Sequence, residues 1–158
     1  MRVDRRRRGA AAIEFVLWLN ALFLLVSGLV DWATYMSSRL AVTRAAMDGC
    51  RIGSAVFEPA SMTPGTLSTP LAEDRALEVL ESLGVVCDLS DGCDIEATFC
   101  LAGSGGDVCG PVAPPFDALV VEVTVEYDPM FGWAATPDVL HESFMMAVEN
   151  QREPAGTP

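Results

Sequence analysis

The sequence contains no lysine and a single histidine, His141. Its ten basic residues are therefore all arginines, and five of them, Arg2, Arg5, Arg6, Arg7 and Arg8, lie within the first eight positions. The formal net charge of the 158-residue chain is −12. Without residues 1–9 it would be −16, from five arginines against 21 acids. An exterior this acidic repels nucleic acid, so the basic block is not a phosphate-binding patch. His141 has no cysteine or serine nucleophile beside it in a local motif, and a lone histidine is usually structural or exposed. No phosphate-cradling glycine loop occurs either: GSGGD, at 103–107, follows a predicted strand but opens no helix. Catalysis and a resident cofactor are not expected.

Proline is also absent until Pro59. Nothing breaks a helix before that point, and residues 10–30 form an apolar run of about 21 residues, enough at roughly 1.5 Å each to cross a bilayer core of roughly 30 Å. Arginines preceding such a run are retained in the cytoplasm, which places the C-terminal body outside. A secretory signal peptide has a shorter apolar core of about 7 to 15 residues ending at a small-residue cleavage site. Here AVTRAAM follows only after Asp31 and Arg39. The expectation is a retained single-pass anchor in contact with the lipid bilayer.

Glu14 lies inside the run, and an ionisable group costs on the order of 3 kcal/mol at a bilayer centre. One account places it near the interface, snorkelling or paired with an arginine. Another begins at Gly9: if the chain is cut there, Ala10 becomes the N-terminus and Glu14 the fifth residue. A neighbouring subunit's α-amine would then offset the desolvation of this carboxylate.

A basic leader, Gly9, then AAAIEF with Glu14 and Phe15, then an apolar helix resembles the class III signal of type IV prepilins. GLVDW (Gly28 to Asp31 and Trp32), Leu40 and AAMDGCRIG (Ala45, Ala46, Gly49, Arg51 and Gly53 among them) are similar to the helix of TadE-like minor pilins, or pseudopilins, of tight-adherence (Tad, or Flp) pili. The sequence departs from the usual pattern where Asn20 stands in place of a frequent proline, Met47-Asp48 in place of Arg-Glu, and Cys50 in place of alanine. The resemblance covers about the first 55 residues. It implies cleavage between Gly9 and Ala10 by a prepilin peptidase and membrane topology set by Arg5, Arg6, Arg7 and Arg8. It also implies assembly through the helix with other major and minor pilins on an ATPase-driven platform in the inner membrane. The competing expectation is an uncleaved, anchored scaffold or binding protein of the cell envelope.

The remaining residues predict a small α+β head. The domains expected are a leader at 1–9, too short and too charged to fold, a membrane and spine helix at 10–57, a head at 58–150 and a mobile tail at 151–158. Beyond Asp31 the helix turns one-sided, with Leu40, Val42, Ala46, Met47 and Cys50 on the apolar face and Arg39, Arg44, Asp48 and Arg51 on the polar one. Trp32 and Tyr35 suit the outer interface. EPASMTPGTLSTP, at 58–70, is a connecting loop. A second helix is expected with Thr69 as cap, Pro70 first, an apolar stripe of Ala76, Leu77, Leu80 and Leu83, and Gly84 as terminator.

Alternation then predicts strands at Ile95, Ala97 and Phe99 and at Leu119, Val121, Val123, Val125 and Tyr127, while Leu140, Phe144, Met146 and Val148 offer one face of a strand or a short helix, with a strand favoured, to give an antiparallel sheet of about three strands. Phe131 and Trp133 are expected to cover the end of that sheet, or to meet a partner subunit.

Cys87, Cys93, Cys100 and Cys109 lie within 23 residues in the outward-facing body, where oxidation favours pairing. Three connectivities are possible. Short loops favour Cys87 with Cys93 and Cys100 with Cys109. Intervening gaps of five, six and eight residues do not suit zinc, whose ligands usually come about two to four apart. Asp88, Asp91, Asp94 and Glu96 invite calcium, but their spacing does not match an EF-hand loop, so a solvated turn and no metal are expected. Cys50 is expected to be a small buried residue.

Overall fold

The computed structural model describes residues 4–56, 58, 62–87, 92–103, 106, 109, 114–132 and 135–148, with side chains of the first helix from Ala12 onward. Five elements follow in order: α1 (Asp4–Ser54), α2 (Ser68–Ser82), β1 (Asp94–Cys100), β2 (Ala118–Glu126) and β3 (Val139–Ala147). The architecture is α+β, as the sequence predicts. The α1 backbone is already helical at Asp4, so residues 4–8, expected to be unfolded, continue the helix. Arginine is a good helix former and no proline intervenes, which accounts for the extension.

The chain divides into two units. One takes in Met1–Ser37 and Asp128–Pro137, the other Ser38–Tyr127 and Asp138–Pro158.

In the second unit the three strands form an antiparallel sheet in the order β1-β2-β3. The final segment is thus a strand, closing a meander. Registers of Ile95 with Val123, Ala97 with Val121 and Phe99 with Leu119 put these side chains on one face. Leu140 opposite Val125, Phe144 opposite Val121 and Met146 opposite Leu119 extend it. Leu119, Val121 and Val123 are fully buried. Each such side chain contributes about 1.5–3 kcal/mol relative to exposure. The opposite face carries a smaller cluster of Cys100, Ala118 and Val120, with Cys109 packed against it.

Disulfides join Cys87 to Cys93 and Cys100 to Cys109, with Cα separations of 5.3 and 5.8 Å. Closing loops of this size removes roughly 2 kcal/mol of unfolded-chain entropy apiece. The second also fixes the β1–β2 connection, where the Gly103 amide donates to Pro114 O at 3.0 Å and the Ala102 amide to Asp117 Oδ1 at 2.8 Å.

Helix α2 departs from expectation at its start. It begins at Ser68, and its cap position, Leu67, makes no side-chain capping bond. The Glu58 carboxylate does that work from ten residues upstream, accepting from the amides of Gly65, Leu67 and Ser68 and from the Ser68 hydroxyl at 2.7–2.9 Å. Thr69 instead donates its hydroxyl to Gly65 O. The buried stripe is Ser68, Ala72, Ala76, Val79 and Leu80, while Leu83 is exposed. Gly84 ends the helix with φ +79°, and the Val85 amide returns to Leu80 O, a left-handed cap that favours glycine.

Candidate functional site on the N-terminal helix

The first unit contains the apolar part of α1. Among the described residues this is the one helix long and apolar enough to cross a membrane. Every residue from Ala12 to Val26 is exposed, including Trp18 and Leu22 on one side and Phe23 and Leu24 on others. A helix with exposed apolar side chains on all sides suits an apolar surrounding. Glu14 and Phe15 are part of this exposed surface. The backbone at Gly9 and Ala10 is helical, as it is at Arg5 through Arg8, and their side chains lie outside the described residues.

Burial begins one turn before the outer end of the run. Ser27 and Asp31 are almost fully buried and Tyr35 is 8% exposed. Asp31 Oδ1 accepts the Phe131 backbone amide at 2.9 Å. The Phe131 ring meets Phe23 edge-on, with centroids 6.4 Å apart. The contacts of Phe131 within this unit are thus with α1. A loop amide bound by a fully buried carboxylate holds it there. Trp133 lies outside the described residues, as do Asp88, Asp91 and the 151–158 tail. Trp32 stacks obliquely on Tyr35 at 5.6 Å. A Cβ added at Gly28 would meet no atom within 4 Å, so this glycine leaves a smooth, open patch on α1.

In the second unit the last part of α1 carries a seam of small residues. Ala41, Val42, Ala45, Ala46, Gly49 and Cys50 are buried. Two residues expected on the apolar face, Leu40 and Met47, are 50% and 43% exposed. The face that packs is set by size: α2 comes so close that only glycine fits. A Cβ on Gly49 would sit 2.8 Å from Ala72 O, and one on Gly53 would sit 2.8 Å from Ser68 O and collide with the Leu119 side chain. Arg51 is exposed. Arg39, on the polar side, bonds Glu142 of β3 at 2.9 Å.

Cys50 is the one free cysteine, fully buried, with its thiol donating to Phe144 O at 2.9 Å. Burial pushes its pKa up to about 11, offset in part by the Val121 and Met146 amides. It is inert packing rather than a reactive thiol. His141 is exposed, with Nδ1 2.9 Å from the Thr124 hydroxyl. Among the described residues no group of three His, Cys, Asp or Glu side chains is placed to hold a metal.

The residues that sequence reasoning missed are those of the seam's partner, Ser68 and Ala72, together with the Glu58 cap. Their signal was the four-residue spacing of Gly49 and Gly53 and of Ser68, Ala72 and Ala76. The conspicuous features of α1 are thus an exposed apolar run, a glycine, a buried acid one turn on, and an alanine–glycine seam.

Residues 9–51 match the family model of TadE-like proteins.

The matched segment covers both the apolar run and most of the seam, and leaves the head from α2 onward outside the match. No curated protein and no solved structure matches the chain. A TadE-like domain on an apolar N-terminal helix fits a membrane protein related to Tad pili.

Proposed function

We propose that the protein is a minor pilin or pseudopilin of a tight-adherence pilus. It is inserted in the inner membrane with its head outside, cleaved between Gly9 and Ala10 by a prepilin peptidase, and assembled through α1 into the filament or at its base or tip. The observation that carries this reading is the coincidence of the TadE-like match with a helix exposed on every side from Ala12 to Val26. Such a helix suits two surroundings in turn, lipid before assembly and a bundle of other pilin helices after it. Its role is structural, and neither a cofactor nor a catalytic group takes part.

In this mechanism Glu14 sets the register. Its carboxylate, exposed on the isolated helix, takes the free α-amine of a neighbouring subunit, and the pair offsets a desolvation that neither charge would tolerate alone. The second partner class is the assembly platform that extracts the helix from the bilayer. The test is Glu14→Gln, which keeps the shape and removes the charge. The variant should remain in membranes with a normal N-terminus but disappear from sheared filaments. Wild-type incorporation would remove Glu14 from the mechanism.

The rival reading is a permanently anchored envelope scaffold. It would keep residues 1–9 on the mature chain.

A further inference from the structure

The loop after β2 belongs with the apolar helix and not with the sheet that it connects: Asp128–Pro137 groups with Met1–Ser37. Two contacts hold it there, the Phe131 amide on the buried Asp31 carboxylate and the Phe131 ring on Phe23. Phe23 precedes Asp31 by eight residues, about 12 Å along a helix axis. If Asp31 marks the outer end of the span, Phe131 reaches down to the acyl chains of the outer leaflet. The residues at this point are Pro129, Met130, Phe131 and Gly132, none of them charged. Met130 is 70% exposed and Phe131 44%.

We propose that residues 129–132 form a second membrane contact, with Met130 and Phe131 seated in the hydrocarbon of the outer leaflet beside α1. The inference rests on the spanning reading of α1. It is argued from continuity, because the exposed apolar surface of these residues adjoins, at Phe23, the stretch of α1 from Ala12 to Val26 in which every residue is exposed. One backbone donor that would oppose insertion is the Phe131 amide, since an unbonded amide in hydrocarbon costs several kcal/mol. Asp31 accepts it, which gives this buried acid a task in lipid: it satisfies the loop so that its side chains can enter. The occupant is lipid and not a protein partner, because the bilayer already surrounds the helix face that these residues extend.

The experiment uses the full chain in phosphatidylcholine vesicles, with and without lipids brominated on their acyl chains. Trp18, Trp32 and Trp133 are replaced by Phe and Met130→Trp is introduced. A second chain carries Phe131→Trp in the same background, and a control keeps Trp18 as its only tryptophan. Bromine quenches only an indole that it touches. The expected result is loss of emission from the tryptophan at 130 or 131 comparable with the loss from Trp18. Quenching of Trp18 with none at 130 or 131 overturns the inference while leaving the span intact, and the loop is then covered by protein. No quenching at any position overturns the spanning reading and this inference with it.

Discussion

Residues 12–26 of α1 present leucine, valine, phenylalanine and tryptophan to the outside on every side, whereas residues 41–54 bury alanine, glycine, cysteine and serine. One helix thus follows opposite rules in its two parts. In the first, large apolar side chains are the surface, as suits a segment long and apolar enough to cross a membrane. In the second, water surrounds the fold, and what matters is how closely a neighbouring backbone approaches. Apolar character alone does not distinguish the two: Leu40 and Met47 are as apolar as the residues of the run and are exposed, while Gly49 and Gly53 lie at the centre of the packing.

The sharpest way to break this comparison is to enlarge a glycine in each part. Gly53→Val should cost the head about 3 kcal/mol, at the upper end of overpacking effects, because its side chain meets Leu119, Ala72 and the Ser68 carbonyl. Gly28→Ala, in open space, should leave stability unchanged or raise it by up to about 1 kcal/mol through helix propensity. Chemical denaturation in detergent, followed by near-ultraviolet circular dichroism, separates the two outcomes. Equal effects would mean that the seam is not packed as described.

The bridge between Cys100 and Cys109 comes next, since it pins the face of the sheet away from the large buried side chains. The pair Cys100→Ser and Cys109→Ser should lower unfolding free energy by about 2–3 kcal/mol, the loop-entropy value for a ring of this size. The helicity of the first part of α1 should not change, and far-ultraviolet dichroism of the reduced protein reads both.

A smaller effect is expected at Glu58. Burial raises its pKa, but the bonds from the Ser68, Leu67 and Gly65 amides and the Ser68 hydroxyl outweigh that and hold the carboxyl below its ordinary value. A carboxyl depressed in the folded state contributes stability above its unfolded pKa and loses it as pH falls through the folded one. Glu58→Gln should therefore cost about 1 kcal/mol at neutral pH, the usual magnitude of a lost helix cap. The difference from wild type should shrink as the solution is acidified below the ordinary carboxylate range. A difference that persists at low pH would assign the effect to shape and not charge.

The smallest expected effect is at Arg39 and Glu142. The arginine side chain is 53% exposed, so the pair should contribute under about 1 kcal/mol. Arg39→Ala should shift the denaturation midpoint only slightly, and less again in high salt. A large shift would mean that this exposed pair carries much of the attachment of β3 to α1.

The parts of the fold legible in the sequence were those written in apolar periodicity. The unbroken run before Pro59 declares a helix, and the strict alternation from Leu119 to Val125 declares a strand with both neighbours. What escaped was written in small and distant residues. Alanine and glycine carry little hydropathy, so the seam opposite Ser68, Ala72 and Ala76 does not register as a core. Glu58 caps a helix from ten residues away, across a segment that reads as an ordinary loop. Phe131 and Asp31 are 100 positions apart, and no local pattern connects a loop aromatic to a membrane-proximal acid. Of the candidate site, the motif from Gly9 to Arg51 was readable because it is a contiguous signature on one helix.

The most direct test of the account is the intact mass and N-terminal sequence of the protein isolated from membranes, with and without prepilin peptidase. A chain that begins at Ala10 only when the peptidase is present is the predicted result, and it ties the exposed helix to the pilin pathway. A chain that keeps Arg5, Arg6, Arg7 and Arg8 in the presence of active peptidase would contradict it, leaving a TadE-like helix that anchors a head without entering a filament.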